Sequence, residues 1–194
     1  MNFKRLETYL NEIQKTVYVE PDFDYHHKIS EGLVNQVTDK FKDILDVGFG
    51  QGYSLKKFKE RGFNVKGITL SEQEYRDFEI QGYDVNLMDM SFLDFDDESF
   101  DLVWCRHALE HSVMPFISLK EFRRVLRRGG VLFVEVPSDN VAQIKNPNHY
   151  SLFSDHAWQE LFEKAGFDLT HRLQTRVIHQ GWDDIYWQYW LRKK

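Results

Sequence analysis

Cysteine is nearly absent from this 194-residue sequence: Cys105 stands alone. No internal disulfide can form, and no cysteine-rich metal site is available. No apolar run is long enough to cross a bilayer. The first thirty residues mix charges throughout and lack the apolar core of a signal peptide. These absences lead to the expectation of a reducing, cytoplasmic setting with no membrane partner. A concentrated basic face is missing as well. The 25 Lys and Arg residues are scattered among 31 Asp and Glu residues, for a formal net charge of −6. Proteins that grip nucleic acid through its phosphates carry such a face, so no nucleic-acid partner is expected. The local group Lys56, Lys57, Lys59, Arg61 and Lys66 reads as a solvated helix face. Repeats and low-complexity tracts are also lacking.

What is present is a regular alternation of strand and helix signals. Phe3, Leu6, Tyr9, Leu10 and Ile13 have the spacing of a short amphipathic helix, and a second helix is expected over residues 29–39. Strands are expected over residues 43–47, 65–70, 85–88, 100–105 and 131–136. Helices are expected over 53–61, 72–81, 116–126 and 157–165, several of them stopped by a glycine such as Gly62, Gly82 or Gly166. Arg127 to Gly130 reads as a turn. Two last strands, 169–177 and 185–191, close the chain. Strands alternating with helices of this length imply right-handed crossovers. The expected fold is α/β and Rossmann-like, a doubly wound seven-stranded, mainly parallel sheet with helices on both faces. It is read as a single domain, residues 1–194, with N-terminal lid helices over 1–35. The core runs over 40–194 and carries an insertion at 138–153.

The segment Asp46-Val47-Gly48-Phe49-Gly50-Gln51-Gly52 lies between the first strand and its helix. Glycines there let the backbone approach a ligand, and the helix start offers free N–H groups. A dinucleotide fingerprint would need a small residue where Tyr53 stands, and a carboxylate at Asp46 would repel a pyrophosphate.

Asp-x-Gly-x-Gly-x-Gly after the first strand resembles motif I of the class I S-adenosylmethionine-dependent methyltransferases. Four further stretches are similar to that family and follow in its order. They are Asp89-Met90 with the run from Asp97 to Val103, then Leu109-Glu110-His111, then Glu121 to Gly130, and finally Phe153-Ser154 with Ala165-Gly166-Phe167. The resemblance covers roughly residues 40–170. It implies an enzyme with S-adenosylmethionine as cofactor. Asp46, Gly48 and Gly50 would wrap its methionine part, Asp89 would bond the adenine amino group, and Met90 would pack on the ring. The backbone around Cys105, Arg106 and His107 would take hydrogen bonds from the cofactor's amino group.

One position departs from the family pattern. Thr69-Leu70-Ser71-Glu72 stands where most members have an acid for the ribose hydroxyls, and resembles the branch with cyclopropane-fatty-acid synthases. There a Gln five residues after the Thr binds ribose; here that position is Glu74, with Gln73 before it. Glu74 or Gln73 is expected to reach the ribose, with Thr69 and Leu70 giving backbone and packing contacts.

The partner is expected to be a small polar methyl acceptor. Tyr25, with Phe23, His26 and His27, is a candidate for the lid over it, and His149 and Tyr150 for the opposite wall. His107 and His111 follow the fourth strand, and either imidazole suits a general base. No histidine pair beyond His26-His27 and His107 with His111 is suggestively spaced, so no metal is expected. The alternatives are a binding protein without turnover and a methyltransferase for protein or nucleic acid. The Asn-Pro-Pro-Tyr signature of adenine methylation is absent. Neither the acceptor, the atom methylated nor the oligomeric state follows from the sequence.

Overall fold

Ile44 and Leu45 are neighbours in strand β1 (Asp43–Val47), both fully buried, yet they belong to different cores. Successive strand residues point to opposite faces, so a strand apolar at both parities must be covered on both sides. Strand β4 (Phe100–Arg106) does the same, with Leu102 and Trp104 in one core and Val103 and Cys105 in the other. The structure is a computed structural model that describes residues 4–14, 17, 24–179 and 182–194. The side chains of Gln14, Asp24, Tyr25, His179, Trp182 and Asp183 lie outside that description.

The remaining strands are β2 (Asn64–Thr69), β3 (Val85–Leu87), β5 (Leu126–Pro137), β6 (Phe167–His179) and β7 (Trp182–Lys193). They form one seven-stranded sheet in the order β3-β2-β1-β4-β5-β7-β6. The first five strands pair in parallel, while β7 runs antiparallel to both β5 and β6. This is the expected doubly wound α/β sheet, closed by one antiparallel hairpin.

Helices α1 (Lys4–Gln14), α2 (Asp24–Asn35), α3 (Tyr53–Glu60), α4 (Glu72–Ile80), α5 (Pro115–Val125), α6 (Val141–Ile144) and α7 (Asp155–Ala165) complete the fold. On one face Phe58 of α3 meets Trp104 edge-on, and Trp104 stacks on Phe133 of β5 at 4.0 Å. On the other, Phe122 of α5 joins Trp158 and Phe162 of α7. Among the described residues no helix is long and apolar enough to cross a membrane.

The last two strands run two or three residues longer than expected at their ends, and three other elements differ more. Helix α2 begins five residues earlier and ends at Asn35 rather than Asp39. Its last turn closes through Gln36 N–H to Leu33 and Val37 N–H to Val34, three-residue steps that finish the helix before the chain enters β1. The turn expected at Arg127–Gly130 lies inside β5 as a bulge. Pairing with β4 jumps from Phe100↔Leu126 to Leu102↔Val131, and Gly129 takes φ +71 to allow it. Helix α6 was not legible in the polar insertion. Asn140 caps it by accepting the Ala142 and Gln143 N–H groups.

Candidate active site

The chain leaves β1 toward β2 and leaves β4 toward β5, in opposite directions along the sheet. Ligand crevices of open α/β sheets lie at such a switch point. A cavity of about 340 Å³ opens there. One wall is the glycine turn, where Gly48 and Gly50 have φ +65 and +49. A Cβ on Gly48 would lie 2.7 Å from the Ala108 Cβ, so only glycine lets the turn approach the segment after β4 this closely. Ile68, Thr69, Leu70, Glu74, Met88 and Met90 continue this wall. Thr69 donates its hydroxyl to Glu74 at 2.6 Å, holding that carboxylate at the cavity edge. Ser71 caps α4 by accepting the Glu74 N–H, which sets the helix start and so the position of Glu74.

Asp46 lies behind the turn, 1% exposed, and does not itself line the cavity. Its neighbour Ser54 does. Burial lifts the Asp46 carboxyl to about 7, against the Ser54 hydroxyl and the Arg106 charge, which pull it down. Its Oδ2 has no hydrogen-bond partner among the described residues.

A buried charge network forms the floor beyond β4. Glu135 interrupts the apolar run of β5 much as Asp46 interrupts β1. Arg106 Nε and His107 Nε2 meet its Oε1 at 2.6 and 3.0 Å. These contacts are off the line of good hydrogen bonds, so charge rather than direction holds them. Burial opposes ionisation of Glu135, yet Arg106 and His107 bring its pKa down to about 2. Burial and Arg106 likewise oppose a charge on His107, but Glu110 and Glu135 outweigh them and raise it to about 9. His107 is thus an imidazolium near neutral pH and a poor proton acceptor, which corrects its candidacy as general base. It also takes φ +50, an uncommon conformation for a residue with a side chain. His26 of α2 packs edge-on against His107 at 5.3 Å. Burial, His107 and Arg106 push its pKa to about 3, so the neutral ring accepts from Arg106 Nη2 at 3.2 Å.

The opposite wall comes from the insertion. Ser151 donates its N–H to the Glu110 carbonyl and its hydroxyl to the Ser112 carbonyl, at 2.9 and 2.6 Å. Those bonds seat the insertion on the 3₁₀ turn Leu109–His111. They bring His149 beside His111, with ring centres 4.9 Å apart. His111, His149, Tyr150, Asn146 and Asn148 all line the cavity. Burial lowers the His149 pKa.

Most residues singled out by sequence therefore meet in one place: Gly48, Gly50, Thr69, Leu70, Glu74, Met90, Arg106, His107, His111, His149 and Tyr150 line the cavity. Asp89 does not. Its Oδ1 accepts the Ser91 N–H, between two methionines that do line it. Gln73 lies off the cavity, bonding Asp77 along the exposed face of α4. The Tyr25 side chain and Phe23 lie outside the described residues. His26, a lid candidate from sequence, also lines the cavity, whereas sequence reasoning missed Ser54 and Tyr186 as lining residues and gave Glu110 no role of its own. It also missed Glu135, although a carboxylate inside an apolar strand was a signal available at Glu135 as at Asp46.

A methyltransferase domain model matches residues 45–134. Among similar proteins is the 2-methyl-6-phytyl-1,4-hydroquinone methyltransferase of Synechocystis sp., 34% identical over 60% of this chain and 39% of that protein. The chain spans less than two thirds of the length of the curated relatives it matches. Its fold is similar to that of an S-adenosylmethionine-dependent methyltransferase of Thermotoga maritima, with TM-score 0.72 and 19% identity over 99% of this chain and 97% of the other. It is also similar to the 1,6-didemethyltoxoflavin-N1-methyltransferase of Burkholderia thailandensis, which was crystallised with 1,6-didemethyltoxoflavin and S-adenosylhomocysteine bound. That match has TM-score 0.68 and 21% identity over 87% of this chain and 78% of the other. Residues 45–134 thus match a methyltransferase domain, and the strand order goes with the fold likeness to solved methyltransferases.

Proposed function

We propose that this chain is an enzyme that moves the methyl group of S-adenosylmethionine onto a small polar molecule. The observation that carries the reading is that a single cavity has the glycine turn at one wall and His111, His149 and Tyr150 at the other. The residues suit the cofactor. Gly48 lets the turn close against Ala108, the buried Asp46 carboxylate keeps an oxygen without a partner among the described residues, and Met88, Met90 and Leu70 offer apolar packing. When bound, the cofactor supplies a sulfonium methyl group ready for in-line displacement. What remains for the protein is mainly alignment.

In this reading Glu74 takes the ribose hydroxyls and Met90 packs on the adenine. Asp89, fixed through Ser91, turns its other oxygen to the adenine amino group. Arg106 and the backbone beside it hold the amino-acid end. His111 stands at the acceptor side, where the acceptor's proton must leave. Asn146, Asn148 and Tyr150 favour an acceptor that carries hydroxyl or amino groups. The hydroquinone named for the Synechocystis relative is of that kind. Release of S-adenosylhomocysteine across a panel of small hydroxyl and amino compounds tests the reading. Turnover with any of them supports it, and cofactor binding with no turnover across the panel favours a binding protein.

Asp46 makes binding depend on pH. A carboxyl at about 7 is half protonated in the free protein near neutrality. The ligand's ammonium favours the ionised form and lowers that pKa, so binding releases a proton and strengthens as pH rises. Calorimetric Kd values for S-adenosylhomocysteine should be about tenfold weaker at pH 6 than at pH 8. In Asp46→Asn the difference should vanish. An equal pH slope in wild type and variant would remove Asp46 from the binding reaction.

A further inference from the structure

We infer that Glu110, His111 and His149 form a binding site for one divalent transition-metal ion, placed where a hydroxyl-bearing acceptor can ligate it. The inference rests on the methyltransferase reading for its purpose, but the cation site itself is independent of it. One carboxylate oxygen and one nitrogen from each imidazole lie within 4.8 Å of one another, and all three residues line the cavity. Ligands about 2.1 Å from a common ion sit about 3 Å apart, so small side-chain rotations close the set.

Two further observations point to a cation. Glu110 is 1% exposed, and its Oε2 has no hydrogen-bond partner among the described residues. Its Oε1 faces His107 at 3.7 Å, so the carboxylate is half satisfied. A buried carboxylate oxygen without a partner is costly unless something positive occupies the space before it. The imidazoles, for their part, are oriented as ligands are. His111 Nδ1 lies 2.8 Å from the Asn148 carbonyl, and His149 Nδ1 lies 3.0 Å from the Gln143 carbonyl. A carbonyl can only accept, so both rings carry their proton on Nδ1 and their lone pair on Nε2. At His149 this agrees with Asn146 Nδ2 donating to Nε2 at 3.2 Å, a bond the ion would replace. A histidine whose second nitrogen donates to a carbonyl is the usual outer support of a metal ligand.

Two imidazoles and one carboxylate suit zinc, cobalt, manganese or iron rather than calcium or magnesium. Three protein ligands leave coordination positions open toward the cavity. An acceptor hydroxyl bound there would lose its proton more easily, without an imidazole having to take it. This replaces the metal-free site expected from histidine spacing. That spacing could not show His149, which the insertion brings in from far along the chain.

Titration of the purified chain with Co²⁺, read by visible absorption and calorimetry, tests the site without any acceptor. One Co²⁺ per chain is expected, displaced by Zn²⁺ and not by Mg²⁺. Binding should weaken by about a hundredfold in Glu110→Gln and in His149→Ala. Because Glu110 is buried and its variant can misfold, His149→Ala, altered in the half-buried insertion, carries the test if it does. Absence of saturable Co²⁺ binding at 1:1, or wild-type affinity in His149→Ala, overturns the site. S-adenosylhomocysteine binding is measured on the same samples. Cofactor binding with no Co²⁺ binding rejects the cation site and spares the proposed activity; Co²⁺ binding with no cofactor binding does the reverse.

Discussion

Glu135→Gln is expected to lower the free energy of unfolding by about 3–5 kcal/mol, the usual cost of removing one partner from a buried charge cluster. The substitution keeps the shape of the side chain and removes only its charge. Arg106 and His107, with side chains 8% and 9% exposed, are then left as two buried cations side by side. Glu110 remains near His107, and the buried Asp46 carboxyl near Arg106, but neither takes the place of the carboxylate that meets both cations. The His107 pKa, raised to about 9, adds a pH signature. A group whose folded-state pKa is raised gives stability that is complete below its unfolded value of about 6.5 and fades as pH rises through 9. Wild-type stability should therefore decline between pH 7 and 9, and the decline should shrink in Glu135→Gln. Urea unfolding at pH 7 and 9 measures both. A loss under about 1 kcal/mol would mean that the cluster is not the buried ion network its geometry indicates.

His111→Ala is expected to cut turnover by about a hundredfold while S-adenosylhomocysteine affinity stays within a few-fold. The imidazole lines the cavity on the side proposed for the acceptor, and the Asn148 carbonyl fixes its place there. In the proposed reaction its loss removes the group on which departure of the acceptor's proton depends and leaves the glycine turn and Glu74 untouched. His107→Ala differs, because it deletes a cation held between Glu110 and Glu135 and should act first on stability. Single-turnover rates with the best acceptor from the panel, beside calorimetry with S-adenosylhomocysteine, separate the two effects. Undiminished turnover in His111→Ala would leave alignment alone as the protein's contribution. Loss of rate to a chelator would assign the His111 effect to the cation site, whereas an unchanged rate would assign it to imidazole as base.

The glycine-turn wall of the cavity was legible in the sequence because its signals are local. A strand, a glycine turn and a helix start fall within a dozen residues around Asp46 to Tyr53, and a strand end, a short turn and a capped helix start follow one another over Thr69 to Glu74. The core was legible for the same reason, since strands apolar at both parities announce two covered faces. The opposite wall was not, because long-range contacts build it. His149 meets His111 only after Ser151 ties the insertion to the segment around Glu110 and Ser112. His26 meets His107 only after α2 crosses the end of β4. Charge state was hidden too. His107 looks like a base in a linear sequence and becomes an imidazolium once two carboxylates flank it. The shift of α2 and the bulge in β5 arise because tertiary docking, not local propensity, sets where those elements end.

Calorimetric titration with S-adenosylhomocysteine, and with NAD as control, tests the central claim most directly. Saturable 1:1 binding of S-adenosylhomocysteine is expected, strongly weakened in Asp46→Ala, with no heat from NAD. A clear NAD signal and none from S-adenosylhomocysteine would contradict the account.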